Sequence, residues 1–231
     1  NQQHTESAST KEQGPSIPMW TLIAAWFCTA VFLFAKLAMY SQSPGAQATP
    51  PLAAVANIHP NPDRFTLVVS VHPKCPCTQS TFYELERLVP KVIHNNIDFV
   101  FYIFTTHESP ESWFNDSSAH IQTRFPDSVI HKDIDAVSAT RIGSMISGST
   151  VLYNPDGYPV FWGGVTPGRG HSGDNLGSDS IIALVNDREP PRTTTLVYGC
   201  EITQPNSNHL FGTCNSTDPF VCEKPREEST Q

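Results

Sequence analysis

Hydrophobic residues along the chain form one long run near its start and several shorter runs after it. The long run, WTLIAAWFCTAVFLFAKLAMY at residues 20–40, is apolar on every face and matches the roughly 20 residues that span a bilayer. Its only charge is Lys36, close enough to one end to reach the membrane surface, and Trp20 and Tyr40 lie where interfacial aromatic residues occur. We therefore predict an uncleaved transmembrane anchor at residues 19–40.

A cleaved signal peptide is the alternative to an anchor, with Gly45-Ala46-Gln47-Ala48 as a weak cleavage site. A single N-terminal anchor followed by a cysteine-bearing domain usually leaves that domain outside the cytoplasm. We therefore expect a single-pass membrane protein whose C-terminal domain lies on the periplasmic side. Residues 1–18 are polar and predicted to be a disordered tail, and the Pro- and Ala-rich residues 41–62 a semi-rigid linker.

The shorter runs after the linker predict one α/β domain over residues 63–188, followed by an irregular, cysteine-containing tail over residues 189–231. Two runs are apolar enough to be buried on both faces, as in a parallel sheet: Phe65–Val71 and Ile97–Phe104. Helical spacing is found at Pro76–Val89, Glu111–Arg124, Asp135–Ile142 and Ser178–Val185. A short strand is predicted at Ser128–His131, and a hairpin at Ser149–Tyr153 and Tyr158–Trp162 around the turn Asn154-Pro155-Asp156-Gly157.

A parallel strand–helix–strand unit, then an antiparallel hairpin and a closing helix, is the element order of the thioredoxin fold. We therefore predict a thioredoxin-like fold, with a central mixed sheet and flanking helices. The apolar run Phe65–Val71 ends in His72-Pro73-Lys74-Cys75-Pro76-Cys77-Thr78. A helix N-terminus stabilises a thiolate, which makes this junction a favourable place for thiol chemistry.

Pro76 suits the first helical position, which predicts Cys75 at the helix cap and Cys77 inside the first turn. Cys75 is then the candidate nucleophile, and Cys77 or Cys200 would resolve its mixed disulfide. The spacing is Cys-x-Cys where the thioredoxin motif is Cys-x-x-Cys, so Thr78 takes the resolving position if Cys75 aligns with the nucleophile. If Pro76-Cys77 aligns instead with the usual Pro-Cys of the motif, Lys74 takes the place of the nucleophile.

Six cysteines occur in the chain, and five of them lie outside the predicted anchor. An odd number leaves one thiol free or paired between chains. Cys28 lies within the anchor and is interpreted as a bystander. Cys214 and Cys222 are candidates for a small disulfide in the tail, and the sequence leaves the pairing of Cys200, Cys214 and Cys222 open.

The glycine-rich residues 163–175 are a second candidate site, because they place charged side chains on a loop directly after the hairpin. Arg169 would stabilise a thiolate, His171 would act as a base or a metal ligand, and Asp174 would orient the histidine. The alternative is that Asp174 and Asn175 only cap the final helix. His72 would tune the thiolate or join a metal site, or it is simply a histidine at a strand end.

The segments HPKCPCT, SGSTVLYNPDG and GGVTPGRGHSGDN resemble those of RedB-type membrane-anchored thioredoxin-like proteins, over roughly residues 60–202. The resemblance implies the thioredoxin-like fold and says little about activity, because the role of that family is poorly defined. Thioredoxins place a cis-proline before the hairpin strand, whereas this chain has Gly148-Ser149-Thr150. This departure makes ordinary protein-disulfide exchange less favoured.

Three functions remain open from the sequence. The first is a membrane-tethered thiol-disulfide oxidoreductase that acts with an unidentified redox partner protein. The second is a copper-binding or copper-delivery module, in which Cys75, Cys77 and His171 would suit Cu(I). The third is a non-catalytic binding domain with a structural disulfide. The net charge of −8, with only 14 lysines and arginines, argues against nucleic-acid binding.

Overall fold

The computed structural model describes residues 18–92 and 96–202, and the chain forms two units that divide between Tyr40 and Ser41. Helix α1, Met19–Ser41, lies in the N-terminal unit except for its last residue, and none of its side chains is buried. Its 23 residues are long and apolar enough to cross a membrane. The predicted apolar helix is therefore confirmed, and its insertion in a membrane remains a prediction.

The second unit is built on a five-stranded sheet with the strand order β3-β2-β1-β4-β5. The strands are β1 Phe65–Val71, β2 Ile97–Thr105, β3 Val129–Ile134, β4 Thr150–Tyr153 and β5 Pro159–Gly163. β1, β2 and β3 are parallel, β4 pairs antiparallel with β1, and β5 completes the antiparallel hairpin. The predicted mixed sheet and its hairpin are confirmed.

Five helices accompany the sheet in the described part of this unit: α2 Ala53–Ala56, α3 Thr78–Leu88, α4 Glu111–Arg124, α5 Val137–Arg141 and α6 Leu176–Val185. A 3-10 turn, Val89–Lys91, follows α3 and contains Pro90. α3, α4 and α6 cover one face, where their apolar side chains meet Leu67, Phe101 and Ile103 of the central strands. These three helices form the main core, and α3 is the one that carries the cysteine junction.

The opposite face of the sheet is covered less completely. Side chains of β2 alternate between buried and half-buried, whereas the sequence predicted burial on both faces. On this face Val100 and Tyr102 are half-buried and pack against a smaller cluster that includes Ala53 and Ala56 of α2. A helix of four residues is too short to cover the strand, and this accounts for the difference.

The structure also differs from the predicted spacer at residues 41–62. Ala48, Ala53, Ala56 and Ile58 are buried, and the N–H of Ala53 donates to the carbonyl of Gly157 at 2.9 Å. The predicted tail likewise packs on the domain as far as residue 202. Val197 in this segment is buried, and the Val197 carbonyl accepts the Gly45 N–H at 2.9 Å. Residues of both segments are therefore packed into the folded unit, where their burial contributes to its stability.

Candidate thiol site

The connection between β1 and α3 holds Cys75 and Cys77 in consecutive tight turns. The Cys75 N–H donates to the carbonyl of His72 at 3.0 Å, and the N–H of Thr78 donates to the carbonyl of Cys75 at 3.1 Å. Helix α3 begins at Thr78, so its cap is Cys77 and not Cys75 as the sequence predicted. The prediction was wrong by two residues, because Pro76 lies in the turn that precedes the helix rather than in the helix itself.

Several hydrogen-bond donors of the site converge on the sulfur of Cys75. The backbone N–H of Cys200 lies 3.3 Å from it, and the Cys200 thiol, the Cys77 N–H and the Thr78 hydroxyl also hydrogen-bond to it. Burial acts to raise the pKa of Cys75, but these hydrogen bonds outweigh burial and lower the pKa below that of an ordinary thiol. Cys75 is therefore the sulfur of this site that is best suited to react as a thiolate.

The other two thiols are shifted in the opposite direction. Burial, followed by the charge of Cys75 and the hydrogen bond to Cys75, raises the pKa of Cys77. Burial, followed by the hydrogen bond to Cys75 and the charge of Cys75, raises the pKa of Cys200 to about 12. Arg169 opposes both shifts, and the Gly170 N–H hydrogen-bonds to the Cys77 sulfur. The arrangement thus favours one thiolate with two protonated neighbours.

Cys200 reaches the site on a segment that pairs with the loop before β4. The N–H of Ser147 donates to the Cys200 carbonyl at 2.8 Å, and the N–H of Ile202 donates to the Met145 carbonyl at 2.8 Å. A Cβ on Gly199 would lie 2.0 Å from the Ser147 carbonyl oxygen, so only glycine permits this approach. The sequence offered Cys200 as a candidate but contained no signal for this pairing.

Ser147 is a residue that the sequence analysis missed. Its buried Oγ accepts the His72 N–H at 2.9 Å and lies 3.0 Å from the Thr78 hydroxyl. It therefore joins the end of β1, the start of α3 and the loop before β4. The available signal was its place beside Gly148, where the missing cis-proline was noted. Gly148 has a φ of 90°, and the described residues contain no cis peptide bond.

Arg169 is the charged residue of the glycine-rich loop that acts at the thiol site, beside the Gly170 N–H. Its guanidinium donates to the carbonyl of Gly199 and, at 3.2 Å, to the carbonyl of Ser43. His171 is exposed, on a turn that returns to Gly168. The Asp174 carboxylate pairs with Arg87 at 3.4 Å rather than with the histidine that it was predicted to orient.

Asn175 acts as the cap of α6, because its side chain accepts the Ser178 N–H at 2.8 Å. The predicted alternative, in which this residue caps the final helix, is thus confirmed for Asn175. Glu84 of α3 also holds the loop, because its buried carboxylate accepts the Gly173 N–H at 2.7 Å. Sequence reasoning missed Glu84, although an acidic residue beside the apolar positions of α3 was the available signal.

His72 contributes to the site mainly through its backbone. Its ring is half-buried, stacks on Phe104 with centroids 5.3 Å apart, and accepts the Lys74 N–H at Nδ1. Burial lowers the pKa of His72, which favours the neutral ring. Lys74, the nucleophile position in the other alignment, is exposed and lies 5.2 Å from the Trp113 ring centroid.

In residues 18–92 and 96–202, no group of three or more His, Cys, Asp or Glu side chains is arranged to hold a metal ion. The proposed copper set of Cys75, Cys77 and His171 is therefore not assembled in the structure. Cys75, Cys77 and Cys200 are free thiols, as is Cys28 in α1. Cys214 and Cys222, with their predicted disulfide, lie outside the described residues.

No protein-family model matches the chain, and no curated protein matches it. The chain is similar to the solved structure of an uncharacterized conserved protein from Geobacillus kaustophilus, with 18% identity and a TM-score of 0.51 over 71% of this chain and 94% of that chain. A hypothetical protein from Sinorhizobium meliloti matches with 14% identity and a TM-score of 0.51 over 72% and 97% of the two chains.

A secreted disulfide oxidoreductase from Mycobacterium tuberculosis matches with 14% identity and a TM-score of 0.39, over 61% of this chain and 94% of that chain. At these identities the likenesses concern the fold alone, and the third is too distant to carry a conclusion. The strand order, the parallel β1-α3-β2 unit, the β4–β5 hairpin and the closing α6 are those of the thioredoxin-like fold. The chain therefore has an α/β, thioredoxin-like fold.

Proposed function

We propose that the chain is a thiol-disulfide oxidoreductase in which the Cys75 thiolate attacks a disulfide of a partner. The observation that carries this proposal is the convergence of hydrogen-bond donors on one sulfur, with the Cys200 N–H 3.3 Å from the Cys75 Sγ. Donors that stabilise a thiolate lower its pKa and raise the fraction that can react at neutral pH. A structural cysteine that is buried among apolar groups has the opposite surroundings.

The first step is a thiol-disulfide exchange. The Cys75 sulfur forms a bond with one sulfur of the substrate disulfide, the substrate S–S bond breaks, and the other substrate sulfur leaves as a thiolate that takes up a proton. Cys75 is only 4% exposed, with the segment at residues 199–202 beside its sulfur. We therefore expect this segment to move away before a protein substrate reacts.

The chain is further proposed to be anchored by α1 with its cysteine domain on the periplasmic side, and to be of the RedB type. The length and apolar composition of α1 support the anchor. The segments HPKCPCT and GRGHSGDN support the RedB-type assignment, and both lie at the thiol site. An unidentified redox partner on that side of the membrane would exchange electrons with Cys75.

The test is the thiol state of the full chain in detergent micelles across a series of reduced and oxidised glutathione, read by alkylation and mass spectrometry. We expect a reversible disulfide that includes Cys75 and that is lost in Cys75→Ser. Cys28→Ser is the matched control, because Cys28 lies in α1, and it should titrate like the wild type.

A Cys75 thiol that stays reduced throughout the series would refute oxidoreductase function. Titration of the same reduced chain with Cu(I) would then test the copper alternative.

A further inference from the structure

We propose that Cys200 is the resolving thiol of this site, so that the oxidised protein carries a Cys75–Cys200 disulfide rather than a Cys75–Cys77 disulfide. This inference rests on the proposed function, because a resolving thiol has a role only where Cys75 exchanges disulfides. Three features of the structure carry it: the contact between the two residues, the way in which Cys200 is held, and the geometry of Cys77.

The first feature is direct contact over a long chain separation. Cys200 touches the Cys75 sulfur with its backbone N–H at 3.3 Å and with its thiol, although 125 residues separate the two. The two sulfurs are close enough for one thiol to hydrogen-bond to the other. A bridge between residues so far apart in the chain closes no small covalent ring, so it escapes the constraint that a two-residue spacing imposes on a disulfide.

The second feature is that the position of Cys200 is fixed by residues on both sides of it. The Ser147 N–H holds its carbonyl at 2.8 Å, and the Ile202 N–H is bound by the Met145 carbonyl at 2.8 Å. On the other side, the Arg169 guanidinium donates to the carbonyl of Gly199. The segment at residues 199–202 is therefore built into the site and presents its thiol to Cys75.

The third feature is the constraint on Cys77. It lies two residues from Cys75, with Pro76 between them and with its own backbone already helical at φ −69° and ψ −20°. Because the proline ring fixes its own φ, a Cys75–Cys77 bridge would have to distort the start of α3. Cys77 contacts the Cys75 sulfur through both its backbone N–H and its thiol, so the backbone constraint and not contact separates it from Cys200, and its N–H makes it a positioning residue.

The resolving step balances without a further reagent. The Cys200 sulfur forms a bond with the Cys75 sulfur of the mixed disulfide, the bond from Cys75 to the substrate breaks, and the second substrate sulfur leaves as a thiolate. The protons of Cys75 and Cys200 end on the two substrate thiols. The substrate gains two electrons, and the protein loses two in the Cys75–Cys200 disulfide.

The charge of Cys75 changes the pKa of Cys200 between the first and the second step. While Cys75 is a thiolate, its hydrogen bond and its charge add to burial in raising the pKa of Cys200. When Cys75 enters a mixed disulfide, that charge disappears, whereas Arg169 still acts to lower the pKa of Cys200. The first step therefore lowers the pKa of Cys200, and that of Cys77 with it, while burial still acts to raise both.

The test traps the product of the first step in the full chain in detergent micelles. The reduced chain reacts with glutathione disulfide and is quenched with acid and alkylated. Digestion with trypsin and an enzyme that cuts after glutamate separates Cys200 from Cys214 and Cys222, because Glu201 lies between them. Mass spectrometry then identifies the partner of Cys75 in the wild type, Cys77→Ser and Cys200→Ser.

We expect Cys77→Ser to form the Cys75–Cys200 disulfide, and Cys200→Ser to accumulate about tenfold or more Cys75–glutathione adduct relative to the wild type. A Cys75–Cys77 disulfide in the wild type, with adduct accumulation in Cys77→Ser instead, would overturn the inference and leave the oxidoreductase proposal standing. A bridge from Cys75 to Cys214 or Cys222 would overturn it as well. A Cys75 that forms no adduct in any variant would refute both proposals.

Gly199→Ala provides a second variant that keeps every thiol. A Cβ there would lie 2.0 Å from the Ser147 carbonyl oxygen, so the segment must shift and carry Cys200 away from Cys75. We expect it to accumulate the adduct as Cys200→Ser does. Cys28→Ser, in α1, is the control, and it should resolve the adduct as the wild type does.

Discussion

The backbone N–H of Cys200 lies 3.3 Å from the sulfur of Cys75, so the last described segment of the chain completes a site that begins at the end of the first strand. The contact joins a turn before α3 to a segment that pairs with the loop before β4. It gives Cys75 a donor that the start of α3 alone does not supply.

The reactivity of Cys75 should depend on pH with a midpoint below that of an ordinary thiol. Hydrogen bonds stabilise its thiolate, so its alkylation rate should rise with pH and level off earlier than that of the same cysteine in the chain unfolded in urea. Cys200→Ala removes the Cys200 thiol as a hydrogen-bond donor, which destabilises the Cys75 thiolate and moves the midpoint to higher pH. Pulsed alkylation read by mass spectrometry measures the midpoint of Cys75 in the wild type and in Cys200→Ala. Identical midpoints in the folded and the unfolded wild-type chain would contradict the prediction.

Ser147→Ala should destabilise the fold by about 1–3 kcal/mol, because it leaves the His72 N–H without its acceptor at a buried site. Ser149→Ala is a matched control two residues away. The Ser149 hydroxyl is buried and has no hydrogen-bond partner in residues 18–92 and 96–202, so its removal should be neutral or stabilising. Urea unfolding of the full chain in detergent micelles compares the two, and equal losses would show that Ser147 has no special role.

Glu84→Gln should cost about 1–3 kcal/mol of stability: one amide oxygen can still accept the Gly173 N–H, but the NH2 group replaces the buried oxygen that accepts from Arg87 and Asn175. Glu86→Gln, on the same helix, is the control. The Glu86 carboxylate is 38% exposed in its pair with Arg124, and a pair of this kind contributes less than about 1 kcal/mol. The same unfolding measurement applies, and a Glu84 variant as stable as the Glu86 variant would be the contrary result.

A soluble fragment that begins at residue 43 should fold, whereas a fragment that begins at residue 57 should not fold stably. The shorter fragment loses the buried Ala48, Ala53 and Ala56 and the hydrogen bond from the Tyr153 hydroxyl to the Pro51 carbonyl at 3.2 Å. Exposing the face that they cover should cost several kcal/mol, a large part of the roughly 5–15 kcal/mol that stabilises a domain. Urea unfolding of the two fragments tests this, and equal stabilities would restore the interpretation of this segment as a spacer.

The sequence alone determined the long apolar helix, the strands and helices of the domain other than α2, and the position of the Cys75 and Cys77 pair at the junction of β1 and α3. These features depend on local periodicity and on turn residues, which report burial and chain direction over a few residues at a time. The thioredoxin-like order of elements follows from the same local signals. The cap of α3 was misplaced by two residues because a proline satisfies a turn as readily as a first helical position.

Only the tertiary structure decided which distant residues complete the site. Cys200, Ser147 and Glu84 act across 125, 75 and 89 residues of chain in their contacts with Cys75, His72 and Gly173. The burial of residues 48–58 was likewise set by how completely the helices cover the sheet. Such contacts depend on the register between segments and on close approaches such as that at Gly199, and no local pattern encodes them.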